Sequence, residues 1–169
     1  MRICLVRHAI AVDRGTPGQE NDDLRPLTSR GRERMRLGAM GLQQLFSPQV
    51  VVASPLLRAR ERADILLSVY GLTKARTCEA LATGDNQQLV ADLLDIEADA
   101  VMLVGHEPHM SATLSWLLAG DEQRLTATFK KGAAALVICE GEPRPGRCAL
   151  EWLIQPGALR ALQGAAPRD

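Results

Sequence analysis

The sequence predicts an α/β domain in which a mostly parallel central sheet is flanked by helices, in three layers. Short apolar runs alternate along the chain with longer segments of helical period, the pattern of strands joined through crossover helices. Hydrophobic residues make up 46% of the chain and aromatics only 3%, so the core must be built from Leu, Val, Ile and Ala, which suits closely stacked layers. With 169 residues the chain is of single-domain size and can bury such a core without disulfides or metals. One domain over 1–169 is therefore expected.

The first strand is expected at 2–7, "RICLVR". The connection after it, "IAVDRGTPGQENDDLRP", is longer than most and rich in Gly, Pro and acids, so it is either disordered or functional. Arg25 within it reads as a loop charge. In "LTSRGRERM" the Thr28 hydroxyl caps a helix that runs to about Phe46. A second strand at 49–53 leads into Ser54-Pro55, read as a cap followed by proline at the first helical position, and that helix stops at Gly71. A strand at 76–78, a helix over 86–95, a strand at 100–104 and a helix from Pro108 to Gly120 follow. Strands near 133–139 and 148–154, joined by the turn-rich "EGEPRPGR", close the pattern. The tail after Pro156 is expected to be a short helix that frays from about residue 158.

Lys+Arg and Asp+Glu both number 20, so no global field holds nucleic acid or an anionic membrane, and any anion site must be local. Lys130 and Lys131 read as a solvated turn before a strand. Cys4, Cys78, Cys139 and Cys148 lack the paired spacing of a zinc cluster; Cys4 and Cys139, within apolar runs, read as buried free thiols. No segment reaches the roughly 18 apolar residues of a membrane span, and "MRICLV" meets charge at once, unlike a leader. A cytoplasmic monomer without cofactor is expected.

Ligands of parallel sheets bind beyond the carboxyl ends of the strands. There the first strand ends in Arg7-His8, the second is followed by Ser54-Pro55 with Arg58 one turn into the next helix, and the fourth ends in His106. Two histidines and two arginines beside a helix N-terminus suit a phosphoryl group. Free N–H groups and arginine forks bind its oxygens, and a neutral imidazole can attack phosphorus and pass the group to water through a phosphohistidine. His106 and His109 are spaced as metal ligands could be, but Pro108 starts a helix between them and the arginines would repel a cation.

"LVRHAIAV", "RPLTSRG", "ASPLLRARERA" and "VMLVGHEPHM", in that order, resemble the histidine phosphatase superfamily, and most nearly its SixA-type phosphohistidine phosphatase branch. The resemblance covers almost the whole chain, including "WLIQPGAL". It implies a phosphoglycerate-mutase-like fold, His8 as the phosphorylated nucleophile, Arg7, Arg58 and His106 as the rest of the phosphate pocket, and no metal. It also implies a leaving-group acid after the third strand, where Glu79 in "TCEALATGD" is similarly placed. Ala9 departs from the glycine that many relatives carry after the histidine. Only 47 residues separate Arg58 from His106, which leaves no room for the cap domain that larger relatives insert there.

The implied activity is hydrolysis of phosphohistidine in a protein, such as a histidine phosphotransfer domain. The alternatives are a phosphomonoesterase for a small sugar or nucleotide phosphate, in which Glu79 would be essential, and a non-catalytic phospho-ligand module.

Overall fold

A computed structural model of the chain describes residues 1–8, 10–13, 16, 18 and 21–164. Ala9, several residues of the first long connection and the last residues of the tail lie outside these. Six strands form one sheet in the order β3-β2-β4-β1-β5-β6. They are β1 (Arg2–Arg7), β2 (Val50–Ala53), β3 (Ala75–Thr77), β4 (Ala100–Gly105), β5 (Ala134–Cys139) and β6 (Cys148–Ile154). The pairs β3·β2, β2·β4 and β4·β1 are parallel, whereas β5 runs antiparallel to both its neighbours. The expected mostly parallel sheet is thus present, as a mixed sheet.

The helices are α1 (Ser29–Gln43), α2 (Leu57–Tyr70), α3 (Ala80–Thr83), α4 (Asn86–Leu94), α5 (His109–Ala119) and α6 (Pro156–Ala161). Cys4 and Val6 of β1 belong to a core with Met35 and Leu42 of α1, Ala63 and Leu66 of α2, and Leu159 of α6. Ile3 and Leu5 belong to a second core with Leu81, Leu89, Leu93, Met110 and Leu114 from α3, α4 and α5. Alternate residues of the same strand feed different cores, because successive side chains leave opposite faces of a sheet. This is the three-layer arrangement. The stretch between Arg58 and His106 is used up by α2, β3, α3, α4 and β4, with no inserted cap. Among the described residues no helix is long and apolar enough to cross a membrane.

Thr28 caps α1 as expected, its Oγ accepting from Gly31 N at 2.9 Å. Gly31 is required there: a Cβ would stand 2.2 Å from the Ile10 carbonyl oxygen, which also accepts from Thr28 N. The start of α1 is thereby pressed against the chain leaving β1.

Two expectations, for Cys139 and for Ser54, need correction. Cys139 is not a free thiol; it is disulfide-bonded to Cys148. The hairpin register sets the two directly opposite each other, with Cα atoms 4.3 Å apart, the close spacing of a facing antiparallel pair. A turn, rather than any cysteine spacing motif, creates that register. The short helix expected after Pro156 is α6, which continues to Ala161; Leu159 is buried, and its carbonyl rests on Gly41 of α1, where a Cβ would fall 1.7 Å away. Residues 165–169 lie outside the described part. Finally, α2 starts at Leu57 with Leu56 at the cap position, so Ser54 is not its N-cap; the serine has another use.

Candidate active site

The β1–β4 register pairs Arg7 with Gly105, so the residues that follow, His8 and His106, must emerge side by side about one strand spacing apart. Their ring centroids are 5.2 Å apart, with planes tilted by 48°. His8 N donates to Gly105 O at 3.0 Å, which extends the ladder one residue beyond the strand. On the other flank β2 pairs Ala53 with Val104, and Ser54 N donates to Val104 O at 3.0 Å. Ser54 Oγ then lies 2.8 Å from His106 Nε2. The hydroxyl read from the sequence as a helix cap instead fixes the orientation of a histidine ring, and it accepts weakly from Leu56 N at 3.4 Å.

Arg58 sits in the first turn of α2, immediately after this serine. His8, Arg58 and His106 are only 8, 5 and 4% exposed although they stand at strand and helix ends. Polar side chains so placed are candidates for a functional site rather than solvated surface. Arg7 is half-buried; its Nη1 donates to Phe129 O, and its buried Nε has no hydrogen-bond partner among the described residues. That leaves a donor suited to an oxyanion.

Sequence reasoning gave Arg58 to the phosphate pocket and assigned no role to Arg62. Both point inward, and Arg62 is 1% exposed. Its Nη1 donates to the carbonyl of Arg7, so one buried guanidinium holds the strand end from which His8 emerges. Burial lowers its pKa to about 9, while Cys4 and Tyr70 pull it back up, and it therefore stays charged at neutral pH. The signal lay in the i,i+4 spacing of Arg58 and Arg62 along a helix whose Ala59, Ala63 and Leu66 share the buried face.

Glu79 is placed differently. It follows β3 on the same edge of the sheet, but its side chain is exposed and its backbone carbonyl accepts from Ala82 N and Thr83 N to start α3. Three strand spacings separate β3 from β1, roughly 14 Å. His109, the second member of the metal-like pair, begins α5 with its ring over Gly84. Arg25 anchors the long connection: its Nη1 donates to Val12 O at 2.6 Å, where Ala11 pairs with Leu27.

The model of the histidine phosphatase superfamily (branch 1) matches residues 3–85, which include Arg7, His8, Arg58 and Glu79. An uncharacterized protein of Picosynechococcus sp. is 38% identical over 115 residues, 65% of this chain and 68% of that one. The chain belongs to the histidine phosphatase superfamily. Its structure is similar to that of the protein histidine phosphatase SixA in complex with tungstate, with a TM-score of 0.79 and 25% identity, covering 94% of this chain and 99% of SixA. It also shares its fold with a putative alpha-ribazole-5'-P phosphatase from Escherichia coli, with a TM-score of 0.75 at 16% identity, covering 92% of this chain and 98% of that one. The phosphoglycerate-mutase-like architecture implied by the motifs is present, and His106, beyond the matched residues, joins the site through the β1–β4 register.

Proposed function

We propose that this histidine phosphatase hydrolyses phosphohistidine in a protein substrate through a transient phosphohistidine on His8. A ring nitrogen of His8 attacks phosphorus; a new P–N bond forms as the bond to the substrate imidazole breaks, and the departing imidazole keeps the electron pair and gains a proton. Water then attacks phosphorus, the bond to His8 breaks, and inorganic phosphate leaves. Arg7 and Arg58 clamp the phosphoryl oxygens, favour the neutral form of the nucleophile and stabilise the charge that spreads over those oxygens. His106, oriented by Ser54, supports the same oxygens.

The observation that carries the choice of substrate is the uncapped edge: with nothing inserted between Arg58 and His106, a histidine on a folded surface can reach His8. The likeness to SixA supports the same reading. A small-ester phosphatase is the second reading, favoured by Glu79 standing on the same sheet edge, where a sugar or alcohol leaving group would need an acid.

The test compares phosphate release from a histidine-phosphorylated phosphotransfer domain with release from a panel of small phosphate esters, using wild type and His8→Ala. The expected result is a higher kcat/KM on the phosphoprotein and a loss of at least about a thousandfold in His8→Ala. Preference for an ester would move the assignment to the second reading, and activity retained in His8→Ala would remove the covalent mechanism.

A further inference from the structure

Beside the site lies a cleft of about 440 Å³ that meets the catalytic cluster only at Arg7. Its floor is apolar, formed by Ile10, Met35 and Pro156, with Gly38 opening space along α1. Its charged lining, among the described residues, is entirely cationic: Arg7, Arg34, Lys130, Lys131 and Arg160. The chain as a whole carries zero formal charge, so this concentration is local.

Helix electrostatics explain one of these charges, since Arg160 occupies the last turn of α6. They do not explain Arg34 in mid-helix or the two lysines ahead of β5. Arg160 holds its proton less tightly than usual, first through burial and then through Arg34. Like charges have been brought together across a groove, and an anion placed between them would relieve the repulsion.

We propose that this cleft docks an acidic segment of the phosphoprotein substrate, one that carries an apolar side chain beside its carboxylates, next to the phosphorylated histidine. The inference rests on the protein-substrate reading above. The apolar floor selects this occupant over a free phosphate or a second phosphate of a small ester, neither of which gains from contact with Met35 and Pro156. The concave shape suits an inserted side chain rather than a flat lipid or nucleic-acid surface. Because Arg7 belongs to both the cleft and the phosphate pocket, a segment seated here aligns its neighbouring phosphohistidine with His8.

The test is the double charge reversal Arg34→Glu/Lys131→Glu, at a half-buried and an exposed position, checked for folding by thermal unfolding. One probe is a histidine phosphotransfer domain with an acidic surface, phosphorylated for kinetics and unphosphorylated for fluorescence-anisotropy binding; the other is p-nitrophenyl phosphate. We expect KM for the phosphoprotein to rise at least about tenfold at low salt with kcat unchanged, anisotropy binding to weaken in parallel, and p-nitrophenyl phosphate turnover to stay the same. Added salt should weaken wild-type binding and leave the variant indifferent. Unchanged binding of the unphosphorylated domain overturns the docking site. So does an equal loss on both substrates, which would mean that the cleft merely supports Arg7. If the wild type fails to hydrolyse the phosphoprotein, the substrate reading falls, while the anisotropy arm still decides the cleft.

Discussion

The centre of the sheet edge and its outer end hold polar groups in opposite ways. At the centre, His8, Ser54 and His106 leave three adjacent strands, His8 and Ser54 through ladder bonds that continue into the site, and all are buried. At the outer end, Glu79 follows a strand of three residues and extends an exposed carboxylate from a four-residue helix. The first arrangement sets geometry through the backbone, whereas the second leaves it to a flexible side chain. Preorganised donors lose nothing to reorganisation during the reaction, so catalytic dependence should be concentrated at the centre.

Arg58→Ala tests this most severely. Removing one fork from the buried clamp should lower kcat by about a hundredfold to a thousandfold, and Arg58→Lys should recover little, because an ammonium cannot reproduce the planar fork. Rescue by lysine in single-turnover assays would mean that only charge matters there. Ser54→Ala should cost about two- to thirteenfold in kcat, the worth of one hydrogen bond of about 0.5–1.5 kcal/mol. Its pH–rate profile should shift, because the hydroxyl helps to choose the tautomer of His106; an unmoved profile would reduce Ser54 to packing. Glu79→Gln should change phosphohistidine hydrolysis by less than about twofold, since general-acid assistance of about a hundredfold or more is needed only for poor leaving groups. A large loss on the phosphoprotein would break the contrast between the two ends.

The thiols extend the contrast to stability. Burial raises the pKa of Cys4, in the core beneath the site, far above its ordinary 9.0, opposed by Arg62. At the outer end, burial and then a hydrogen bond to Asp92 raise Cys78 to about 11. A thiol whose folded pKa exceeds its unfolded one stabilises the fold fully below pH 9.0, and that contribution is lost as pH climbs towards the folded value. Tyr70, raised from 10.0 first by burial, acts in the same direction. Arg62 acts oppositely: its folded value of about 9 lies below 12.5, so the cost of burying its charge is relieved as pH rises through that interval. We expect Tm, followed by circular dichroism, to fall between pH 9 and 11. Cys4→Ala should flatten that slope more than Cys78→Ala does.

What was legible in the sequence follows the same division. Apolar runs place β1, β2 and β4 within a residue of where they form, because strands buried on both faces admit few alternatives. Once those strands and the rule for parallel sheets are granted, Arg7, His8, Arg58 and His106 fall together. Ser54 was misread because a serine before a proline is so often a cap, and only the β2–β4 register shows that its hydroxyl meets His106. Arg62 stayed hidden because charge on a helix ordinarily reads as solvated surface. The Cys139–Cys148 bridge depends on a hairpin register that cysteine spacing alone does not reveal, and the cationic cleft arises from the approach of α6 to α1, a contact between segments far apart in the chain that no local pattern records.

The amides of His8 and Ser54 are bonded to the carbonyls of Gly105 and Val104, in the most deeply buried strand of the sheet. For those amides to exchange with deuterated solvent, the central ladder itself must open, and such openings cost nearly the full unfolding free energy. The proposed nucleophile is therefore mounted at the end of the central ladder, and we expect isotope exchange at the His8 amide to be slow, close to the limit set by global unfolding.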